Sequence, residues 1–181
     1  MTQQRRVLSP LNQADLERLA LRYVERYATT RGRLATYLRR KIRERGWDGE
    51  AAADPVALAE RMAELRYVDD RAFAEMRAGS MARRGLGARR IEQALRFDGI
   101  DEQDRSAVSS MLEEDATTSA LAFARRKRIG PWAREAADPA LRQKQVAALV
   151  RAGHAPDLAR RIVRIEPSDD PDEAAAAAGL S

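Results

Sequence analysis

Asp69 and Asp70, with Glu75 close behind, are the nearest approach to a metal-binding carboxylate group in this 181-residue chain. A hard cation needs several oxygens converging on it, and neither a second carboxylate group nor a paired histidine stands at a useful spacing. Adjacent aspartates ahead of an apolar-periodic stretch read instead as helix caps, accepting from the first N–H groups and suiting the positive helix end. Arg84-Gly85-Leu86-Gly87 resembles a phosphate-cradling turn but lacks both the third glycine of a dinucleotide site and the Gly-Lys-Ser/Thr of a P-loop. It reads as a tight inter-helix turn whose backbone N–H groups, flanked by Arg83, Arg84, Arg89 and Arg90, could still hold a phosphate or carboxylate. His154 has Asp157 as its nearby carboxylate and no nucleophile beside it, so it is assigned to packing at the turn after Gly153. Ser80, Ser106, Ser109 and Ser110 lie outside any Gly-x-Ser-x-Gly context. The chain has no cysteine, which excludes disulfides, thiol nucleophiles and thiolate metal sites. These residues argue against an enzyme, and no cofactor, metal or small-molecule substrate is expected.

The surface signal is arginine. Lys+Arg number 33 against 28 Asp+Glu, a net charge of +5. Residues 1–165 carry a net +10 and 166–181 a net −5. All the basic residues except Lys41, Lys127 and Lys144 are arginines, suited to bidentate contacts with phosphate or carboxylate. They cluster as Arg39, Arg40, Lys41, Arg43 and Arg45; as Arg83, Arg84, Arg89, Arg90 and Arg96; as Arg125, Arg126, Lys127 and Arg128; and as Arg160, Arg161 and Arg164. Cations near helix C-termini are favourable in any case. Their recurrence, however, would let stacked units align them along one face fit for a phosphate backbone or an acidic protein surface. Tyr23, Tyr27, Tyr37, Tyr67, Phe73, Phe97 and Phe123 fall mostly on expected core stripes, which gives base stacking little support. Trp47 is expected to close the turn at Gly46, and Trp132 to act as core closure or as an exposed anchor.

The elements that must hold these side chains are helices. Strong helix formers dominate, and apolar residues recur at three and four, as in Leu16, Leu19, Tyr23, Tyr27 and in Leu34, Leu38, Ile42. Ser9-Pro10, Asp54-Pro55 and Asp138-Pro139 each offer a cap before a proline at the first helical position. Gly46, Gly99 and Gly153 sit just past apolar-periodic segments, 53 and 54 residues apart, each four residues after a large aliphatic: Ile42, Leu95 and Leu149. Further periodic segments follow at 56–66, 104–115 and 157–165. The chain is therefore expected to be all-α, an elongated array of three tandem three-helix modules with helix-turn-helix-like packing. Their bounds are 14–66, 67–115 and 116–165, between a flexible 1–13 and a disordered acidic, Ala-rich 166–181. That tail is expected to fold back on the basic face and weaken non-specific polyanion binding. With no apolar run near 18 residues, a cytoplasmic location without membrane contact is expected.

Tyr67-Val68-Asp69-Asp70-Arg71-Ala72-Phe73-Ala74, followed by Arg84-Gly85-Leu86-Gly87-Ala88-Arg89-Arg90-Ile91-Glu92-Gln93-Ala94-Leu95-Arg96-Phe97-Asp98-Gly99-Ile100, resembles the central signature of the RecX family, bacterial regulators of the recombinase RecA. The similarity extends over about 14–165, through Leu34 to Gly46 and Leu149-Val150-Arg151-Ala152-Gly153-His154. Ala88 stands where the family usually has proline, Thr29 to Leu34 is a variant stretch, and His154 replaces the usual aromatic. The resemblance implies Tyr67, Asp69, Asp70, Arg71, Phe73, Gly85, Gly87, Ile91, Leu95, Gly99 and Ile100 as the structural motif, with Gly46, Trp47 and Gly153 at the helix turns. It further implies a monomeric regulator that binds the RecA filament on single-stranded DNA, with weak direct DNA binding. Such a protein would limit filament extension, strand exchange and ATPase activity in recombinational repair and the SOS response. The expected contacts are Arg39, Arg40, Arg43, Arg83, Arg84, Arg89, Arg90, Arg96, Arg125, Arg126, Lys127, Arg128, Arg160 and Arg161. A RecA-independent nucleic-acid-binding module and a non-catalytic helical scaffold are the alternatives.

Overall fold

A computed structural model describes residues 9–180. The described residues form α1 (Gln13–Arg26), α2 (Arg31–Arg45), α3 (Pro55–Glu64), α4 (Asp70–Arg83), α5 (Ala88–Phe97), α6 (Glu102–Glu114), α7 (Ala116–Lys127), α8 (Pro139–Arg151), α9 (Pro156–Arg164) and α10 (Pro171–Ala177), with a 3-10 turn at Gly130–Trp132. The chain is all-α, and its helices pack in repeating groups: α1, α2 and α3 on one another, α5 on α6, and α7, α8 and α9 on one another. No described helix is long and apolar enough to cross a membrane.

Local chemistry sets the helix starts. Asp54 accepts from the N–H groups of Val56 and Ala57 at 3.0 and 2.9 Å, and Asp138 from Leu141 N–H at 2.7 Å, each ahead of a proline in the first turn. Ser9-Pro10 does not play this part. Asn12 caps α1 in a reciprocal box with Asp15, because the preceding residues are held in extended form: Leu11 N–H donates to Gly46 O at 3.0 Å, and Asp48 N–H to Leu11 O at 2.8 Å. Leu11 is fully buried, so 9–12 are anchored rather than flexible, while 1–8 lie outside the described residues. Trp47 bridges to Leu11 and donates Nε1–H to Ala51 O at 2.8 Å, and its side chain packs against the first unit's core.

The described residues divide into two compact units, 9–73 with Asp98–Ile100, and 74–97 with 101–180. In the first, Leu16, Leu34, Leu38, Leu58, Met62 and Val68 form the core of α1 to α3. At its far edge the turn Asp98–Ile100 docks on the start of α2. Thr30 Oγ1, itself the α2 cap, donates to Asp98 O at 2.5 Å, and Arg33 pairs with the buried Asp98 carboxylate at 2.5 Å. A methyl group on Gly32 would come within 2.8 Å of Gly99 Cα. The second unit contains a joint of the same kind. Gly87 N–H donates to Ala152 O at 2.9 Å and Arg89 N–H to Gly153 O at 3.3 Å. A methyl on Gly153 would lie 2.8 Å from Gly87 O and 2.5 Å from Arg90 N. In both joints a turn with a positive-φ glycine (Gly99 at 77°, Gly153 at 100°) lies backbone to backbone against a glycine at a helix start.

The second unit's core gathers Ala120, Phe123, Ile129, Leu149, Ile162 and, from beyond α9, Ala175 and Leu180. Residues 166–180 are thus not the disordered tail expected. Asp170 caps α10 through Glu173 N–H at 3.0 Å, and Gly179, at φ 70°, turns the chain so that Leu180, 2% exposed, enters the core. The segment lacks an apolar stripe, but one leucine after a left-handed glycine anchors it.

Gly32→Ala and Gly87→Ala are each expected to lower unfolding free energy by about 1–3 kcal/mol through overpacking against backbone. Gly79→Ala is the control: its added methyl meets only the Arg83 guanidinium end, at 3.3 Å, and alanine raises helix propensity. Urea titrations followed by circular dichroism measure all three.

Candidate anion-binding surface

The motif residues divide into those that build and those that display. Asp69 caps α4 through Ala72 N–H at 2.8 Å. Asp70, 6% exposed, does not cap its own helix. It accepts from Arg31 N–H at 2.9 Å and Arg31 Nε at 3.0 Å, closing the start of α2. Burial would lower the Arg31 pKa, but its hydrogen bonds to Glu60 and Asp70 raise it, so the charge is fixed. Phe73, Ile91, Leu95 and Ile100 are buried, and Arg33 lies over the Phe73 ring at 5.3 Å. Arg71 is exposed. Three aromatics depart from the expected core stripes: Tyr27, Tyr67 and Phe97 are 50%, 53% and 89% exposed. Met76, at 54%, is exposed too. Trp132 packs against the second unit's core.

In the second unit two turns and helix α7 converge on one buried imidazole. The turn after α4 closes with Gly85 N–H donating to Ala82 O at 2.7 Å and Leu86 N–H to Met81 O at 3.1 Å. Gly85, at φ 75°, presses against Phe123 of α7, where a methyl would lie 2.7 Å from Phe123 N. His154, 2% exposed, places Nε2 3.0 Å from Gly85 O and its ring edge-on to Phe123 at 5.8 Å. A carbonyl only accepts, so Nε2 carries the hydrogen and donates to Gly85 O. Burial pushes the His154 pKa down, and the Gly85 hydrogen bond opposes this in part. His154 therefore packs the turn, as its position predicted.

The same geometry corrects one reading of the glycine turn. The N–H groups of Gly85, Leu86, Gly87, Arg89, Arg90 and Ile91 all donate to protein carbonyls, so they are not available for a phosphate. What the turn offers is side chains. Arg126 donates to Arg84 O and sits over Phe123 at 5.7 Å, which brings the arginines at the end of α4 beside those at the end of α7. Arg89 and Arg90 follow at the start of α5, fixed by the Gly153 turn. Arg83, Arg84, Arg89, Arg90, Arg96, Arg125, Arg126, Lys127 and Arg128 are all exposed.

Not every expected cation is equally open. Arg125 pairs with Asp172 at 3.0 Å, and Arg161 donates to Gly179 O at 2.9 Å, so the acidic segment occupies both. Arg160 pairs with Asp157 at 2.5 Å, and Arg96 with Glu92 at 2.8 Å. In the first unit Arg39, Arg40 and Arg43 are exposed. There Arg40 shares Glu44 with Lys41, at 3.6 and 2.7 Å, and Arg45 is taken up by Ser9 O at 2.8 Å. Among the described residues no group of three His, Cys, Asp or Glu is placed to hold a metal.

A family model described as the second three-helix domain of RecX matches residues 69–108. The regulatory protein RecX of Myxococcus xanthus is 32% identical over 164 residues, covering 84% of this chain and 86% of that protein. The regulatory protein RecX of Agrobacterium fabrum is 26% identical over 171 residues, covering 92% and 89%. A crystal structure of a regulatory protein RecX superposes with a TM-score of 0.54 at 23% identity, over 80% of this chain and 70% of that one, a likeness of fold.

A lowered folded-state pKa means that the unfolded chain binds the His154 proton more readily, so stability falls with pH from about 6.5 downward through the lowered value. His154→Phe is expected to flatten this part of the stability profile between pH 7 and 5, measured by urea midpoints. An identical slope in the variant would contradict the buried neutral imidazole.

Proposed function

The chain belongs to the RecX family of regulatory proteins, and from that premise we propose that it binds the RecA nucleoprotein filament on single-stranded DNA and inhibits its extension. Strand exchange and ATP hydrolysis by RecA would fall as a consequence, without chemistry by this chain. The observation that carries the reading is the convergence of the α4, α5 and α7 arginines around the Gly87–Gly153 joint. Guanidinium groups held on a packed scaffold suit a partner that presents phosphate and carboxylate together. The contact set is that of the three basic groups, Arg39, Arg40 and Arg43 of α2 and the arginines of 83–96 and 125–128, with Arg160 and Arg161 in α9.

We read the helices as three tandem modules, 14–66, 67–115 and 116–165. The repetition of one joint, Gly99 on Gly32 and Gly153 on Gly87, supports that reading. Tandem modules spread their contacts over several RecA subunits and so obstruct addition of the next. The acidic 166–180 segment is a built-in competitor, with Asp172 on Arg125 and the Gly179 carbonyl on Arg161.

Light scattering and ATP hydrolysis of RecA on single-stranded DNA test the proposal. Filament growth is expected to stall at protein well below RecA stoichiometry. Replacing Arg89, Arg90 and Arg128 together by alanine is expected to raise the required concentration several-fold without altering the circular dichroism. No effect on filaments, alongside steeply salt-dependent binding to bare DNA, would make this a nucleic-acid-binding module. No effect in either assay would leave a scaffold. The variant Asp169→Asn/Asp172→Asn/Glu173→Gln is expected to bind a thymidine oligonucleotide more tightly at low salt, with the gain lost at high salt; unchanged affinity would refute the competitor role.

A further inference from the structure

Phe97 is the most exposed large apolar side chain among the described residues, at 89%, although it ends a helix whose Ile91 and Leu95 are fully buried. At 100° per residue, Phe97 shares a row with Arg90 and Gln93 on α5, roughly opposite the buried pair. Arg90 donates to Gln93 Oε1 at 3.0 Å and is laid along the row that leads to the ring, while Arg96 is held by Glu92 at 2.8 Å, about 100° round the helix from it. The Arg90 backbone abuts Gly153, which fixes the other end of the row. The row therefore offers an exposed aromatic ring, an amide and the Arg90 guanidinium, with the exposed Arg89 about 80° to one side and no carboxylate among them.

We propose that this face of α5 is a stacking site for single-stranded nucleic acid, with Phe97 receiving an unpaired base and Arg90 and Arg89 the flanking phosphates. The charge balance favours a polyanion, and an exposed ring beside guanidinium groups is the pairing that holds single strands irrespective of sequence. A duplex, whose bases are stacked internally, would leave the ring idle. The inference deepens the filament reading by assigning one set of contacts to the DNA strand. Its test omits RecA, so that the two can fail separately.

The experiment is fluorescence anisotropy of a labelled thymidine oligonucleotide with the full chain at low salt. Phe97→Ala is expected to weaken binding about ten-fold, Phe97→Trp to retain it, and Phe97→Leu to behave like alanine, since it keeps apolar bulk without a π face. An abasic strand of equal length should bind the parent chain as weakly as the thymidine strand binds Phe97→Ala. Arg90→Ala should reduce the slope of log affinity against log salt by about 0.7, the value for one phosphate on a single strand, whereas Phe97→Ala should leave the slope unchanged. The proposal is overturned if the parent chain does not bind the oligonucleotide, if Phe97→Ala or Phe97→Leu binds like the parent, or if the abasic strand binds as tightly as thymidine. Loss of filament inhibition by Phe97→Ala with intact oligonucleotide binding would also overturn it, and would make the ring an anchor for protein.

Discussion

A backbone without a Cβ can lie directly on another segment, and this chain sets one glycine against another twice in the same manner. The turn after α5 lies on the start of α2 through Gly99 and Gly32, and the turn after α8 lies on the start of α5 through Gly153 and Gly87. Each turn glycine has a positive φ and each partner sits at a helix start, so the joint sets both the direction of one segment and the position of the next. Around each joint a buried polar group finishes the work. Thr30 and Asp98 hydrogen-bond in the first, and His154 accepts its place beside Gly85 O in the second. Burying these groups is tolerable because each has its partner within hydrogen-bonding distance.

The arginines then sort into two kinds by what they meet. Arg31, Arg33 and Arg45 face inward to Asp70, Asp98 and the Ser9 carbonyl, and belong to the fold. The arginines at 83–96 and 125–128 are exposed, and the second joint fixes the backbone at Arg89 and Arg90. A guanidinium whose backbone is already immobilised loses less freedom on binding than one on a mobile loop. That economy suits the proposed regulator, whose contacts would be spread over many arginines.

Much of this was legible in the sequence. The helical character, the Asp-Pro starts at Asp54 and Asp138, the glycine turns and the packing role of His154 follow from local rules about caps, periodicity and glycine, and those rules act over a few residues. What was not legible depends on residues distant in sequence. Asp70 looked like a cap for its own helix and instead closes α2 through Arg31. Leu11 and Leu180 are single apolar residues outside any stripe, yet both are buried. The turn amides looked free, but Gly85 and Leu86 donate back to Ala82 and Met81, and the distant Ala152 and Gly153 carbonyls take Gly87 and Arg89. Phe97 was misread as core although a helical wheel places it across from Ile91 and Leu95, a signal present in the sequence and outweighed by its apolar type.

The most direct measurement is arginine footprinting by mass spectrometry, using a guanidinium-specific reagent on the free chain and on the chain bound to RecA filaments. The account predicts that Arg84, Arg89, Arg90 and Arg128 are protected in the complex while Arg134 and Arg151, exposed but outside the basic groups, continue to react. Protection of Arg134 and Arg151 with undiminished reaction at the other four would contradict it, and would place the partner on a different face of the molecule.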